Sequence, residues 1–279
     1  MPREQGIDSA EQLRWRLCHH FAEGENMKAK LFGAMAFAAI AATSQGGTPN
    51  TTAAGAVSYE VGQGWVTHGI DESSQNRWFA FKEVGTRSYC VEAALGTATY
   101  LPLDPNLTLY SDSSGTTVYL TNTDGASEPP QNKGSRVCYI SPTAFGSTFV
   151  RLIKVNVPIV ASSGDSGFVR LRVVETTQVA ETYFVQYSNG TLYADSQYNV
   201  YNQTNTSITA RLYLVGFGLT PTFTVPAQGV KSGGSLASYI NGGSNQIFRG
   251  LVYLMGDGPP GALFGWVAPN SGTYYFSPK

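Results

Sequence analysis

Arg77-Trp78-Phe79-Ala80-Phe81 is a run that only an extended chain can use. In a strand, Trp78 and Ala80 fall on one face and Phe79 and Phe81 on the other, so both faces are apolar and both need cover. Working outward, runs of strand length recur at 88–94, 107–110, 118–120 and 136–140. The run at 149–155 sets Arg151 and Lys154 among apolar residues, and 169–174 alternates Val169, Leu171 and Val173 with Arg170 and Arg172. Turn residues separate these runs. Asp112-Ser113-Ser114-Gly115 is one such turn, with Asp to open it and Gly to supply positive φ. Short alternating strands at regular spacing predict an antiparallel β-sandwich. No window beyond residue 42 has the period of an amphipathic helix.

A second block, 179–279, repeats the pattern. Runs at 182–187, 207–215, 222–225, 247–255 and 262–267 read as strands. The loop Gly256-Asp257-Gly258-Pro259-Pro260-Gly261 joins the last two, because its prolines cannot sit in a central strand. The predicted class is therefore all-β, with two consecutive antiparallel β-sandwich domains, jelly-roll-like at 58–178 and immunoglobulin-like at 179–279.

The first block resembles the bacterial pre-peptidase C-terminal domain family. The matching pieces begin with the 77–81 strand and the Gly85-Thr86 turn into Tyr89-Cys90-Val91. Asp104-Pro105-Asn106-Leu107-Thr108-Leu109-Tyr110 and Ser113-Ser114-Gly115 follow. Cys138-Tyr139-Ile140-Ser141-Pro142, Gly146, Phe149-Val150-Arg151-Leu152 and the run 167–173 complete the order over about 58–176. The resemblance implies a β-sandwich that accompanies secreted proteins, often peptidases, as an accessory and not a catalytic module. One departure is local. Where the family commonly has acidic residues before the aromatic strand, this chain has Ser74-Gln75-Asn76, which argues against a cation site there.

Ahead of the sandwiches, Met27 opens a second pattern. Lys28 and Lys30 are followed by an apolar run to Ile40 and by Ala39-Ile40-Ala41. Basic stretch, short apolar run and small-residue site are the order of a secretory signal, 27–41. A membrane span needs roughly 20 apolar residues, and this run is shorter; an Ala-rich buried helix is the other reading. Residues 1–26 then read as an extension from a start codon assigned too early, and 42–57, rich in Gly, Ser and Thr, as a flexible linker.

Export bounds the chemistry. Processing leaves His68 as the one histidine, and Cys90 and Cys138 as the two cysteines, which predicts a single disulfide; two buried thiols are the alternative. The whole chain carries a formal charge of −1, with no basic stripe for a phosphate backbone, so nucleic acid is not an expected partner. After processing the chain is not expected to be an integral membrane protein. Charged residues make up only 13% and apolar residues 42%, which suits exported β-structure with polar, uncharged surfaces and excludes a disordered chain.

Three candidate sites can be weighed. Gly164-Asp165-Ser166-Gly167 matches the surroundings of a protease serine, with His68 and Asp104 upstream in the order of a triad. Phe168 stands where a second Gly is usual, and Trp65-Val66-Thr67 precedes the histidine. The motif therefore reads as a hairpin loop and the triad as a decoy, with no catalytic residue assigned. Metal binding is not expected, because one histidine and two distant cysteines make no zinc site. Asp71, Glu72, Asp112, Asp124 and Asp165 are loop acids without EF-hand spacing, and no cofactor is implied. The remaining candidate is aromatic. Tyr183, Tyr187, Tyr193, Tyr198 and Tyr201 punctuate a stretch rich in Asn, Gln, Ser and Thr, which suits a sugar or peptide: rings stack and amides hydrogen-bond.

The function expected from the sequence is a secreted, non-catalytic binding or accessory protein with a polysaccharide, protein or cell-wall ligand. The alternatives are a serine hydrolase using Ser166 and a structural module of an extracellular assembly. N-terminal sequencing of the exported protein is expected to start at Ala42; exported protein that keeps Met1 or Met27 contradicts the signal.

Overall fold

The computed structural model describes residues 50–96, 104–122, 134–159, 166–188, 191–239, 246–269 and 273–279. The expected signal and the extension ahead of it lie outside these residues. All regular structure described is β, apart from single 3₁₀ turns at Ala53–Gly55 and Ala237–Tyr239. Among the described residues no helix is long and apolar enough to cross a membrane.

The first sandwich runs through β1 (Val57–Tyr59), β2 (Val66–Asp71), β3 (Asn76–Val84), β4 (Ser88–Leu95) and β5 (Asn106–Tyr110). It continues with β6 (Val118–Asn122), β7 (Gly134–Ile140), β8 (Thr148–Asn156) and β9 (Ser166–Glu175). Sheet I has the order β1-β3-β8-β5-β6 and sheet II the order β2-β9-β4-β7. All pairings are antiparallel except β1 with β3. Phe79 and Phe81 point from sheet I into a core shared with Tyr89, Val91, Ala93, Val169, Leu171 and Val173 of sheet II.

The other face of β3 is covered too. Trp78 stacks on Tyr110 at 5.1 Å and packs with Leu152, Ala53 and Ala56. Asn50 clips this cover in place: its carbonyl accepts from the Trp78 N–H at 2.7 Å, and its Nδ2 donates to the Trp78 carbonyl at 2.6 Å. Residues 50–56, expected as part of a flexible linker, are thus packed, because an exposed Trp78 face would leave apolar area in water. Gly115 turns beneath the same indole at φ +71°, where an added Cβ would lie 2.7 Å from the ring.

A charged cluster is buried at one edge of this sandwich. Glu83 has no exposed surface and accepts from Arg151 Nε at 2.8 Å, Arg151 Nη2 at 3.1 Å, Tyr139 Oη at 2.6 Å and Ser141 Oγ at 2.5 Å. Arg151 also donates to the Tyr110 carbonyl at 2.8 Å and lies over the Tyr119 ring. Burial pushes the Glu83 carboxyl up, but the hydrogen bonds from Arg151, Ser141 and Tyr139 outweigh it and hold the group below its ordinary value. The same cluster raises the Tyr139 phenol, by burial first and then by the Glu83 charge.

The second sandwich uses β10 (Gln178–Ser188), β11 (Thr191–Ala194), β12 (Ser196–Asn202), β13 (Ile208–Leu214), β14 (Gly218–Leu219) and β15 (Phe223–Val225). The chain then adds β16 (Val230–Ser235), β17 (Gln246–Gly256), β18 (Leu263–Pro269), β19 (Tyr274–Tyr275) and β20 (Ser277–Pro278). Sheet III has the order β11-β10-β17-β13-β14, with β15 on β13 and β20 on β10; sheet IV is β16-β12-β18-β19. Between them lie Tyr198, Val200, Leu212, Leu214, Val252, Leu254 and Val267.

Only residues 176–177 join β9 to β10, and they are pinned to β4. The Thr176 N–H donates to the Ser88 carbonyl at 2.8 Å, and the Ser88 N–H donates to Thr177 Oγ1 at 2.9 Å. Phe145 stacks on Tyr213 at 4.3 Å, and Ile140 packs against Tyr213, Tyr253 and Met255 on the outer face of sheet III.

Glu83→Ala strands a buried guanidinium and is expected to cost roughly 3–5 kcal/mol, read as a lowered urea midpoint. The depressed Glu83 pKa means its contribution is present above the unfolded carboxyl value of about 4.3 and is lost as pH falls below it. The wild-type protein is expected to lose stability on acidification through that range. Glu83→Ala is expected to lose less, and equal acid slopes in the two proteins would contradict this assignment.

Candidate functional site

The outward face of sheet IV carries a group of aromatic side chains, Phe264 and Tyr275 exposed and Tyr201 and Trp266 half-buried. The inner face of that sheet is set by β12 and β18, where Tyr198, Val200, Leu263 and Val267 enter the core. Side chains alternate along a strand, so Gln197, Asn199 and Tyr201 of β12 and Phe264, Trp266 and Ala268 of β18 turn outward. The register sets Tyr201 opposite Phe264 and Asn199 opposite Trp266. On the next strand Tyr275 stands opposite Trp266, while its neighbour Phe276 enters the core. On the other side Val230 of β16 stands opposite Tyr201.

The result is two adjoining rows, Val230–Tyr201–Phe264 and Asn199–Trp266–Tyr275. Tyr201 and Phe264 stack at 4.8 Å with planes 11° apart. Tyr275 is 72% exposed, Phe264 44% and Val230 41%. Singly exposed apolar residues are ordinary, and adjoining ones on one face make it the candidate site.

Of the five tyrosines expected to bind ligand, Tyr198 and Tyr201 have described side chains, and Tyr201 is on this face. Tyr198 is corrected: it is buried, its hydroxyl lies 3.3 Å from that of Tyr239, and burial raises its phenol. Tyr198 and Tyr201 are three apart on β12, so they point to opposite faces. Tyr183, Tyr187 and Tyr193 lie on β10 and β11, and their side chains fall outside the described residues. Reading the sequence missed Phe264, Trp266 and Tyr275. The signal was present in Leu263-Phe264-Gly265-Trp266-Val267, but both of its faces are apolar or small, which reads as a strand buried on both sides.

The three residues in triad order are not assembled. His68 faces inward, its ring edge-on to Phe79 at 4.9 Å, and burial, then Arg77, lowers its pKa. Ser166 opens β9 opposite Asp71, on the other face of sheet II and three positions along. That is ~10 Å of strand, beyond hydrogen-bond reach. Asp104 precedes β5 in the other sheet.

The loop acids are likewise spread out. Asp112 is committed to its own turn, accepting from the Ser114 N–H and Oγ and from the Thr116 and Thr117 N–H groups. The Ser114 hydroxyl, then these amides, holds its carboxyl far below the ordinary value. Asp71 accepts from Ser73 Oγ at 2.6 Å, while Asp124 and Asp165 lie outside the described residues. Among the described residues no three His, Cys, Asp or Glu side chains come together as a metal site. At the turn before β3, Arg77 fills the space with its own cation, donating from Nη1 to the Ser74 carbonyl and Oγ at 2.8 Å each and to the Asn76 carbonyl at 2.7 Å.

Cys90 and Cys138 stand directly opposite each other on β4 and β7 and are bonded as a disulfide, with Cα atoms 4.1 Å apart. The loop it closes spans 48 residues, worth roughly 4 kcal/mol by chain entropy. Cys90 Sγ, which carries no hydrogen, lies against the Gly258 carbonyl of the second sandwich at 3.2 Å.

No protein-family model matches the chain, and no curated protein matches it. Among solved structures, the pre-peptidase C-terminal domain of a collagenase from Bacillus anthracis is similar at 8% identity and a TM-score of 0.31, over 42% of this chain and 93% of that one. Neither a fold assignment nor a residue role passes across a likeness of this size.

Gly234 supports the site from beneath. A Cβ there would lie 2.0 Å from the buried Tyr198 ring, which has no space to move into. Gly234→Ala is expected to lower the melting temperature by several degrees, and near-UV circular dichroism is expected to show displaced tyrosines; wild-type spectra and stability would contradict the packing described.

Proposed function

We propose that this chain is an exported, non-catalytic binding protein that holds polysaccharide on the outer face of sheet IV. The observation that carries the reading is the exposed Phe264 and Tyr275 adjoining the half-buried Tyr201 and Trp266 on one face, with the exposed amide of Gln197 on the same side of the sheet. Aromatic faces offer apolar area at little conformational cost and pack against the C–H faces of sugars, while amides answer their hydroxyls. The face lies on paired strands rather than on a loop, which fixes the rings relative to one another. The Cys90–Cys138 disulfide supports export, since such bonds persist in oxidising compartments.

The test is retention of the full-length protein on insoluble polysaccharides and cell-wall fractions. Wild type is expected to be retained without any release of sugar, and Trp266→Ala to be washed off. Turnover of the retained material, abolished by Ser166→Ala, would replace this reading with a hydrolase. Retention that Trp266→Ala leaves intact would move the site elsewhere.

A further inference from the structure

We infer that the loop 141–147, between β7 and β8, is an acid-sensitive latch on the joint between the two sandwiches. With Glu83 charged, the loop is held down and lays Phe145 on Tyr213 of the second sandwich. Protonation of Glu83 opens the loop and uncovers Tyr213 while both sandwiches stay folded.

The loop is rooted on Glu83. Ser141 Oγ donates to Glu83 Oε1 at 2.5 Å, and Thr143 Oγ1 donates to the same oxygen at 3.3 Å. Beneath it lies the turn between β3 and β4. The Thr86 N–H donates to the Thr143 carbonyl at 3.2 Å, the Gly85 N–H to the Ser147 carbonyl at 2.8 Å, and the Ser141 N–H to the Arg87 carbonyl at 2.7 Å. The approach is close, since a Cβ on Gly85 would lie 1.9 Å from the Ala144 carbonyl oxygen. The tip of the loop crosses to the next domain, where Phe145 stacks on Tyr213 at 4.3 Å with planes 19° apart. Phe145 remains 50% exposed, so its ring is placed by the seat of the loop and not by a pocket of its own.

Glu83 is the group in this cluster that changes charge in acid. From β8 it meets Arg151, from β7 Tyr139, and from the loop the hydroxyls of Ser141 and Thr143. Tyr119 of β6 lies under the Arg151 guanidinium, and Tyr89 of β4 stands close enough for the Glu83 charge to act on its phenol. Burial raises all three phenols, so they stay neutral across the acid range, as the arginine stays charged. On the far side of the turn, Arg87 is engaged by Glu175 at 2.8 and 3.0 Å.

A proton on Glu83 leaves the Arg151 guanidinium buried without a counter-charge, which favours any opening that admits water. Most walls of the cluster are strands paired along their length, β3 with β8 and β7 with β4. The remaining wall is the loop, where Pro142, Ala144, Phe145, Gly146 and Ser147 are already exposed. Local opening takes the side with the fewest buried contacts. Because the Glu83 carboxyl is held below its ordinary value, the latch is shut above the unfolded carboxyl value of about 4.3 and opens as pH falls through the lower value of the folded group.

The test is nuclear magnetic resonance of the full-length protein, followed from neutral pH down through the carboxylate range, in wild type, Glu83→Gln and Phe145→Ala. In the wild type, signals of residues 141–147 and of Tyr213 are expected to shift together, at a higher pH than those of Val91 and Leu212 in the two cores. Glu83→Gln is expected to show the acid positions of the loop and of Tyr213 already at neutral pH, with no further step. Phe145→Ala removes no buried charge, so it tests the seat even where Glu83→Gln fails to fold. It is expected to show the Tyr213 change at neutral pH, with the loop still responding to acid.

Loop and core signals that move at one and the same pH would overturn the latch and leave Glu83 as a support of the first sandwich alone. A loop step that survives in Glu83→Gln would give the response to another acid and overturn it too. A wild-type loop step that leaves Tyr213 unmoved, or wild-type Tyr213 signals in Phe145→Ala, would overturn the link across the joint.

Discussion

Every side chain of β4, from Ser88 to Leu95, is buried, so none of its polar groups can be satisfied by bulk water. Val91 and Ala93 need no partner, because they face the core of the first sandwich, and the Tyr89 hydroxyl beside them accepts from the Val84 N–H at 2.9 Å. Glu92 faces the other way and cannot remain alone. Arg136 Nε reaches one of its oxygens at 2.5 Å, and Arg172 Nε bonds the other. Those two arginines come from the strands on either side of β4, so one buried carboxylate ties three strands together. Trp65 lies over Arg172 and Arg170 and covers the pair from outside.

The same outward face of β4 carries Cys90, where the cover is the second sandwich. The Gly258 carbonyl sits on the disulfide sulfur, and Thr176 and Thr177 satisfy the backbone of Ser88. Burial of β4 on both faces therefore sets how the sandwiches adjoin as well as how the first one closes. A two-residue junction held by backbone hydrogen bonds has little freedom to swing. In contrast, among the described residues the outward face of sheet IV leaves Tyr275, Phe264 and Val230 exposed.

Much of the fold was legible because alternation is a local property. The run 77–81 demanded cover on both faces, and Tyr110 and residues 50–56 provide it. The buried ion pairs were not legible. Arg151 and Glu83 are 68 residues apart, and nothing in either local pattern distinguishes them from exposed charges. The candidate site was half legible. A tyrosine-rich, amide-rich stretch was visible, but which tyrosines reach solvent depends on which face of β12 meets sheet III.

The sequence by itself determined the strand pattern, the turns and the placing of Cys90 and Cys138 within strands. It did so because period-two alternation and turn chemistry act between near neighbours. Only the tertiary structure decided the pairing of those strands, and hence every choice of face. Pairing sends Tyr198 into the core and Tyr201 outward, sets Trp266 beside Tyr275, and keeps His68 and Ser166 on opposite sides of one sheet. The physical reason is register: a shift of one residue exchanges the faces of a strand, and register is set by packing between segments far apart in the chain.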